Sequence, residues 1–114
     1  MLELMKKVDV LVSGELEDAN EKFRLFSSDH EGVAVIEEEY TEAKEEFDAL
    51  TENMEELKHR VYHDDSRKNR MLNTKQIYNI ALCGACELIQ VAAMAKKFDD
   101  SAKARGEDLD GSKY

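Results

Sequence analysis

The sequence predicts an all-α protein, and three observations support that prediction. The chain of 114 residues contains no proline and only five glycines, the two residue types that most disfavour helices. Charged residues make up 37% of it and hydrophobic residues 42%, which suits helices with one solvated face and one apolar face. Apolar residues also recur at steps of three and four. We expect one helical domain over residues 1–104 and a flexible acidic tail over residues 105–114.

The first predicted helix begins at Leu2 and ends near Phe23. Its apolar residues keep helical spacing from Leu2 through Val12 to Phe23. Ser13 and Gly14 are the places where a bend or break is expected.

The second predicted helix has the clearest pattern in the chain. Ser28, with Glu31 three residues later, forms a capping box that marks its start. Nine apolar residues then alternate steps of three and four: Val33, Ile36, Tyr40, Ala43, Phe47, Leu50, Met54, Leu57 and Val61. Such a seam is typical of a long helix that packs along a neighbouring helix.

A polar turn and a third helix complete the predicted bundle. Residues 63–70 are polar and form the expected turn. The third helix starts either at Asp65 or Ser66, or farther along at Asn73, and it is expected to end near Ala102. Three helices with so long an apolar seam predict an antiparallel bundle that oligomerisation completes.

Residues 77–95 of the third helix are apolar nearly all round. Their clearly polar side chains are Asn79, Glu87 and Gln90. Such a helix is expected to pack on several sides. Its length approaches that of a membrane span, but the polar residues, with Lys96 directly after them, favour a buried helix of a soluble protein.

Two cysteines, Cys83 and Cys86, lie in this helix. One CxxC without a second Cys or His pair is a weak zinc signal, and consecutive turns of a rigid helix are poorly placed for a disulfide. We expect buried, reduced thiols, which suit the cytoplasm. The charged residues within positions 1–13 argue against a secretion signal and agree with that location.

The formal net charge of −10 limits the partners. It argues against DNA or RNA as a direct ligand, because their phosphates would be repelled. A nucleotide would be repelled too, unless metal ions mediate. An acidic surface can imitate nucleic acid, so an acidic protein inhibitor remains an alternative.

Four oxygen-bearing side chains are predicted to meet at one point. Glu39 and Glu42 lie one turn apart on the second helix, as Glu87 and Gln90 do on the third. Antiparallel packing would direct all four to one place, where hard oxygen ligands select Mg²⁺ or Mn²⁺. A cation there would bind a polyphosphate and activate a water.

Each pair also has a simpler interpretation. Glutamates crowd residues 37–46, and a run of charge on a helix is usually a solvated face. Glu87 is more diagnostic, because a carboxylate in an apolar helix needs a partner: a metal ion or, more simply, an arginine or a capping group. His30 is most often a local polar group at a helix start, and contact with a nucleotide is its less common role.

Two segments carry a resemblance to a known family. Residues 19–42 contain ANEKF, HEG, AVI and EEYTE in that order, and residues 86–98 read CELIQVAAMAKKF. Both resemble small phage-type members of the MazG-like all-α nucleoside triphosphate pyrophosphohydrolases, over roughly residues 15–98. The resemblance implies Mg²⁺ held by EExxE and ExxD motifs, and cleavage of a nucleoside triphosphate into a monophosphate and pyrophosphate.

Carried over residue by residue, EExxE falls on Glu38, Glu39 and Glu42, and ExxD falls on Glu87 and Gln90. The resemblance implies that Glu39, Glu42, Glu87 and Gln90 bind the metal ion. It implies that Glu38 and Glu39 are the catalytic residues, with Glu38 as a further ligand or as the base that orients a water. Gln90 departs from the family pattern, because it keeps a neutral oxygen ligand and cannot act as a base.

The substitution at Gln90 leaves a second hypothesis open, a non-catalytic protein that binds a nucleotide or a nucleotide-derived signal. The candidates for contact with the substrate are His30, Lys75, Lys96 and Lys97. The resemblance also implies a homodimer or homotetramer. We expect neither a nucleic-acid nor a membrane partner, and a location in the cytoplasm, that of the host if the protein is phage-encoded.

Overall fold

The computed structural model describes residues 1–107, and these form three helices in chain order. They are α1 (Leu2–Lys22), α2 (Asp29–Tyr62) and α3 (Arg67–Ala104). The predicted all-α class is confirmed. Of the predicted tail, residues 108–114 lie outside the described residues.

Helix α1 begins and ends within one residue of its predicted bounds and continues unbroken through Ser13 and Gly14. Phe23 adopts an extended conformation (φ −133°, ψ 145°), and its N–H donates to the Ala19 carbonyl at 2.9 Å. A methyl group on Gly14 would meet nothing within 4 Å. The helix therefore does not break at Ser13 or Gly14, and the glycine has room for a side chain.

Helix α2 starts at the predicted cap. The Glu31 N–H donates to Ser28 Oγ at 3.1 Å, which satisfies one of the free donors at the helix start. The Glu31 carboxylate turns away from the helix and accepts from Ser27 Oγ at 2.8 Å. Of the two hydrogen bonds in the predicted capping box, the one from the Glu31 N–H to the Ser28 hydroxyl is formed, and the Glu31 side chain bonds to Ser27 instead of to the Ser28 N–H.

The predicted apolar seam of α2 divides into two stripes. One stripe is buried or half-buried in the chain: Ile36, Ala43, Leu50 and Leu57. The other is between 42% and 65% exposed at seven-residue spacing: Val33, Tyr40, Phe47, Met54 and Val61. The single chain therefore leaves five of the nine seam residues exposed.

Ser66 caps α3, which decides between the two predicted starts. The Asn69 N–H donates to Ser66 Oγ at 3.1 Å, and Asp65 Oδ1 accepts from the Ser66 N–H at 2.7 Å. Asn73 lies inside the helix, where it is 2% exposed and donates to Asn53 Oδ1 at 3.2 Å. The alternative start at Asn73 is therefore wrong.

The described chain divides into two compact units, and both α2 and α3 contribute to each. The first unit is Met1–Tyr40 with the described part of Leu88–Tyr114, and the second is Thr41–Glu87. The hydrophobic core lies in the first unit and contains Val12, Leu16, Phe26, Ala93 and Met94. α1, α2 and α3 all pack on this core through residues that include Ala19, Val35 and Phe98.

The second unit is a helical hairpin. Asn53 of α2 pairs with Asn73 of α3, and an added Cβ on Gly84 would lie 3.6 Å from the Glu46 Cβ. Residue numbers rise along one helix as they fall along the other, so the two helices are antiparallel in this unit. This agrees with the predicted orientation.

Helix α3 is less buried than the sequence predicted. Tyr78, Leu82 and Leu88 are 66%, 52% and 61% exposed, and Cys83 and Cys86 are also exposed. Only 11% of the most apolar stretch of 18 residues in α3 is buried. By its length and composition alone, α3 is also long and apolar enough to cross a membrane. The predictions of packing on several sides and of buried thiols are wrong for the single chain, because a three-helix chain offers each helix at most two neighbours.

Candidate functional site

The structure brings three of the predicted metal ligands together. Glu39, Glu42 and Glu87 each offer a carboxylate oxygen, and these oxygens lie within 4.8 Å of one another. Glu39 and Glu87 are half-buried, whereas Glu42 is exposed. Like charges this close repel one another, and a shared cation or proton relieves the repulsion. The arrangement is therefore one that a cation with oxygen ligands would stabilise.

The local helix geometry explains why these three residues meet. Glu39 and Glu42 are one turn apart on α2, so they lie on the same face. The turn of four residues, 63–66, sets the register of the antiparallel hairpin. That register places Glu87 of α3 beside Glu42.

Gln90, the fourth predicted ligand, has a partner on α1. Its Nε2 donates to Glu15 Oε2 at 2.7 Å, and both side chains are half-buried. Because the amide nitrogen is engaged, the amide oxygen is the atom available to a cation. The sequence did not single out Glu15, since nothing in its spacing distinguishes it from Glu17 or Glu21 on the same helix.

A cavity of about 530 Å³ opens in the first unit. Its apolar lining consists of Ala19, Phe23, Phe26, Val35 and Met94. Its charged lining consists of Arg24, Glu31, Glu38, Glu39 and Lys97, and Gln90 adds an amide. The volume lies within the range of small-molecule sites, and the lining combines two aromatic side chains with six charged or polar ones.

Lys97 is the most unusual of the cavity residues. It is only 2% exposed, and its Nζ lies 4.9 Å from the centroid of the Phe26 ring, within the range of a cation–π contact. Burial lowers the pKa of Lys97 below its ordinary value of 10.5. The Glu31 carboxylate partly offsets that effect on the pKa, and Arg24 adds to it.

Arg24 and Glu31 form the neighbouring ion pair. Arg24 donates from Nη1 and Nη2 to the two carboxylate oxygens of Glu31, at 2.9 Å and 3.1 Å. The hydrogen bond from Ser27, followed by those from Arg24, holds the pKa of the Glu31 carboxyl below its ordinary value of 4.5. The sequence predicted that the Glu31 side chain would take part in a capping box with Ser28, and nothing in its spacing predicted the ion pair with Arg24.

The end of α3 fixes the loop that carries Phe26. The Phe26 N–H donates to the buried Ser101 Oγ at 2.9 Å, and Arg105 Nη1 donates to the Phe26 carbonyl at 2.9 Å. Arg105 also forms ion pairs with Asp29 at 2.6 Å and Glu107 at 2.8 Å. Arg105 and Glu107 fall in the segment that the sequence assigned to the tail, and both serve this anchor.

Gly32, in the HEG segment, allows the α2 backbone to approach two aromatic rings. A Cβ at this position would lie 2.6 Å from Phe98 Cδ2 and 3.0 Å from Phe26 Cδ2. Real side chains do not approach so closely, so only glycine fits without a shift of its neighbours. The glycine therefore helps to place the Phe26 ring in the wall of the cavity.

Of the four predicted substrate contacts, only Lys97 lines this cavity. Lys96 is exposed and borders a separate surface depression of about 440 Å³ along α1. His30 is exposed at the start of α2, and Lys75 is exposed in the second unit. The sequence missed Arg24, because a single basic residue in a loop carries no periodic signal.

Comparisons with protein-family models, with curated proteins and with solved structures found no match. The function proposed for the chain is therefore inferred from its own residues, their geometry and the resemblance of residues 19–42 and 86–98.

Proposed function

We propose that the protein is a nucleoside triphosphate pyrophosphohydrolase that depends on Mg²⁺ or Mn²⁺ and releases a monophosphate and pyrophosphate. The observation that carries the proposal is the group of oxygens from Glu39, Glu42 and Glu87 within 4.8 Å of one another. Oxygens bound to Mg²⁺ at about 2.1 Å lie at most about 4.2 Å apart. Small rotations of these side chains are therefore enough to bind one cation.

Each residue has a role in this proposal. Glu39, Glu42 and Glu87 hold the cation, and the Gln90 amide oxygen is a fourth ligand. Glu38, which lines the cavity beside Glu39, orients a water molecule. A divalent cation at this site neutralises charge on a polyphosphate and makes a bound water more acidic. By holding that cation, Glu39, Glu42 and Glu87 would position the polyphosphate beside the water that Glu38 orients. Attack of this water on the α-phosphorus would break its bond to the oxygen that bridges the α- and β-phosphates, so that a monophosphate forms and pyrophosphate leaves.

Two further observations support the proposal. The three residues that meet, Glu39, Glu42 and Glu87, are among the five that the resemblance to MazG-like enzymes assigns to EExxE and ExxD. The cavity lined by Glu38, Glu39 and Gln90 also has aromatic walls that suit a nucleobase.

The direct experiment is incubation of the protein with canonical and modified nucleoside triphosphates in Mg²⁺ or Mn²⁺, followed by assay of released pyrophosphate. We expect release from at least one nucleotide and its loss in Glu87→Gln. Glu52→Gln, an exposed glutamate on α2 outside the group, is the matched control and should keep full activity. If well-folded wild-type protein released no pyrophosphate from any nucleotide, the proposal would be refuted.

The Gln90–Glu15 hydrogen bond favours one second candidate, a nucleotide-binding protein without turnover. Gln90 cannot act as a base, and its amide nitrogen is already bound to Glu15. Calorimetry that shows tight nucleotide binding without product would support this candidate. A Gln90→Asp variant that gains activity would identify a decayed enzyme. An acidic inhibitor, by contrast, would ignore Mg²⁺ and bind a protein.

We also propose that a second copy of the chain covers the exposed stripe of α2. The stripe repeats every seven residues, as the seam between two packed helices does: Val33, Tyr40, Phe47, Met54 and Val61. Light scattering should give the mass of a dimer or tetramer, and Phe47→Glu should shift it towards that of the monomer. A monomeric wild type at high concentration, or one that partitions into lipid vesicles through α3, would contradict this assembly.

A further inference from the structure

The side chain of Lys97 is almost entirely buried, and its ammonium group lies over an aromatic ring at the edge of a cavity. The residue is 2% exposed, stands over the Phe26 ring and lines the 530 Å³ cavity of the first unit. A buried cation is stable only when a partner offsets its lost hydration. An aromatic face provides part of that compensation.

The Glu31 carboxylate, whose charge attracts the Lys97 ammonium, makes its hydrogen bonds to other residues. Glu31 accepts hydrogen bonds from both terminal nitrogens of Arg24 and from Ser27. Arg24 itself is 68% exposed at its side chain, so water screens its ion pair with Glu31 and can replace those hydrogen bonds when the guanidinium turns towards a ligand. The cavity therefore contains one fixed cation and one adjustable cation.

We propose that Lys97 and Arg24 form a subsite in this cavity that binds the phosphate groups of a polyphosphate ligand. The guanidinium presents paired N–H donors that match two phosphate oxygens, and the ammonium adds a point charge. The inference rests on the proposed function for the identity of the ligand, a nucleoside triphosphate, and the subsite itself rests on these two residues.

The carboxylates of the cavity make this subsite dependent on metal ions. Glu31, Glu38 and Glu39 outnumber the two cations, so the lining carries a formal net charge of −1. A divalent cation held by Glu39 and its neighbours changes that sign, so phosphate binding is strengthened by Mg²⁺. Glu31 competes with the ligand for Arg24, so removal of its charge also strengthens binding.

The test is calorimetric titration with inorganic pyrophosphate, once with Mg²⁺ and once with EDTA. We expect Lys97→Met and Arg24→Gln each to weaken binding by about tenfold or more, as expected for loss of a charged hydrogen-bond donor. Lys96→Met removes the adjacent exposed lysine and should change affinity by less than about twofold. Glu31→Gln should bind pyrophosphate more tightly than wild type.

Wild-type affinity in both Lys97→Met and Arg24→Gln would overturn the subsite, and so would a wild type that binds no pyrophosphate in either buffer. Lys97→Arg keeps the charge and should bind almost as well as wild type. If Lys97→Met does not fold, as judged by circular dichroism, Arg24→Gln decides the outcome: binding about tenfold weaker supports the subsite, and wild-type affinity overturns it. A separate Mn²⁺ titration distinguishes failure of the metal site from failure of the phosphate subsite. If no Mn²⁺ binds but pyrophosphate still binds in EDTA and this binding requires Lys97, the subsite is supported and the metal-dependent function is not.

Discussion

Replacement of Gly32 by alanine should destabilise the protein, although alanine is the better helix former. The new Cβ would lie 2.6 Å from Phe98 Cδ2 and 3.0 Å from Phe26 Cδ2, so at least the Phe98 ring must move. Such overpacking costs about 1–3 kcal/mol. The gain in helix propensity offsets about 1 kcal/mol of this, which leaves a net loss of about 0–2 kcal/mol.

Gly14→Ala is the matched control for this change. Gly14 lies inside α1, and a Cβ there meets nothing within 4 Å. The substitution should therefore raise the free energy of unfolding by about 0.5–1 kcal/mol. The two variants should differ by about 0.5–3 kcal/mol, which corresponds to roughly 1 M in the urea midpoint.

The assay is urea unfolding followed by circular dichroism and by a second probe, at one fixed protein concentration. Coincident transitions would justify the comparison of midpoints. If Gly32→Ala proved as stable as Gly14→Ala, the close approach of α2 to Phe98 would be refuted. The explanation of the glycine in the HEG segment would then be lost as well.

The remaining predictions concern charge and burial. The pKa of the Glu31 carboxyl is lowered in the folded protein. Its contribution to stability is therefore present above its ordinary pKa of 4.5 and is lost as the pH falls through the folded value. Urea unfolding at a series of pH values should show a weaker loss of stability in acid for Glu31→Gln than for wild type. The pKa of Lys97 is lowered by burial, so the unfolded chain binds more protons just below pH 10.5, and stability should rise with pH there in wild type but not in Lys97→Met. Ser101→Ala leaves the Phe26 N–H without its partner and should cost about 1–3 kcal/mol in urea unfolding, whereas the exposed Ser13→Ala should change stability by less than about 0.5 kcal/mol.

The capping signals of α2 and α3 are local, although the sequence also offered Asn73 as a start for α3. Ser28 and Ser66 cap the helices that follow them, and each needs only the N–H three residues ahead. The position of Glu39 and Glu42 on the same face of α2 is also a local feature, since it follows from the helical repeat. Sequence spacing was therefore sufficient for these features.

Burial and long-range partners were not predictable in this way. The apolar pattern around Cys83 and Cys86 shows that α3 has much surface to cover, but it does not show whether this chain or another covers it. The Arg24–Glu31 pair depends on how the α1–α2 loop folds against α2, and the cavity position of Lys97 depends on how the same loop packs against α3. The conformation of this loop cannot be predicted from the spacing of apolar residues in the sequence.

The central proposal is that Glu39, Glu42 and Glu87 hold one divalent cation, and a Mn²⁺ titration followed by electron paramagnetic resonance tests it most directly. Wild type and the control Glu52→Gln should each bind one Mn²⁺ per chain, and Glu87→Gln should bind it at least about tenfold more weakly. Equal Mn²⁺ binding by wild type and Glu87→Gln, or none by either, would contradict the proposal.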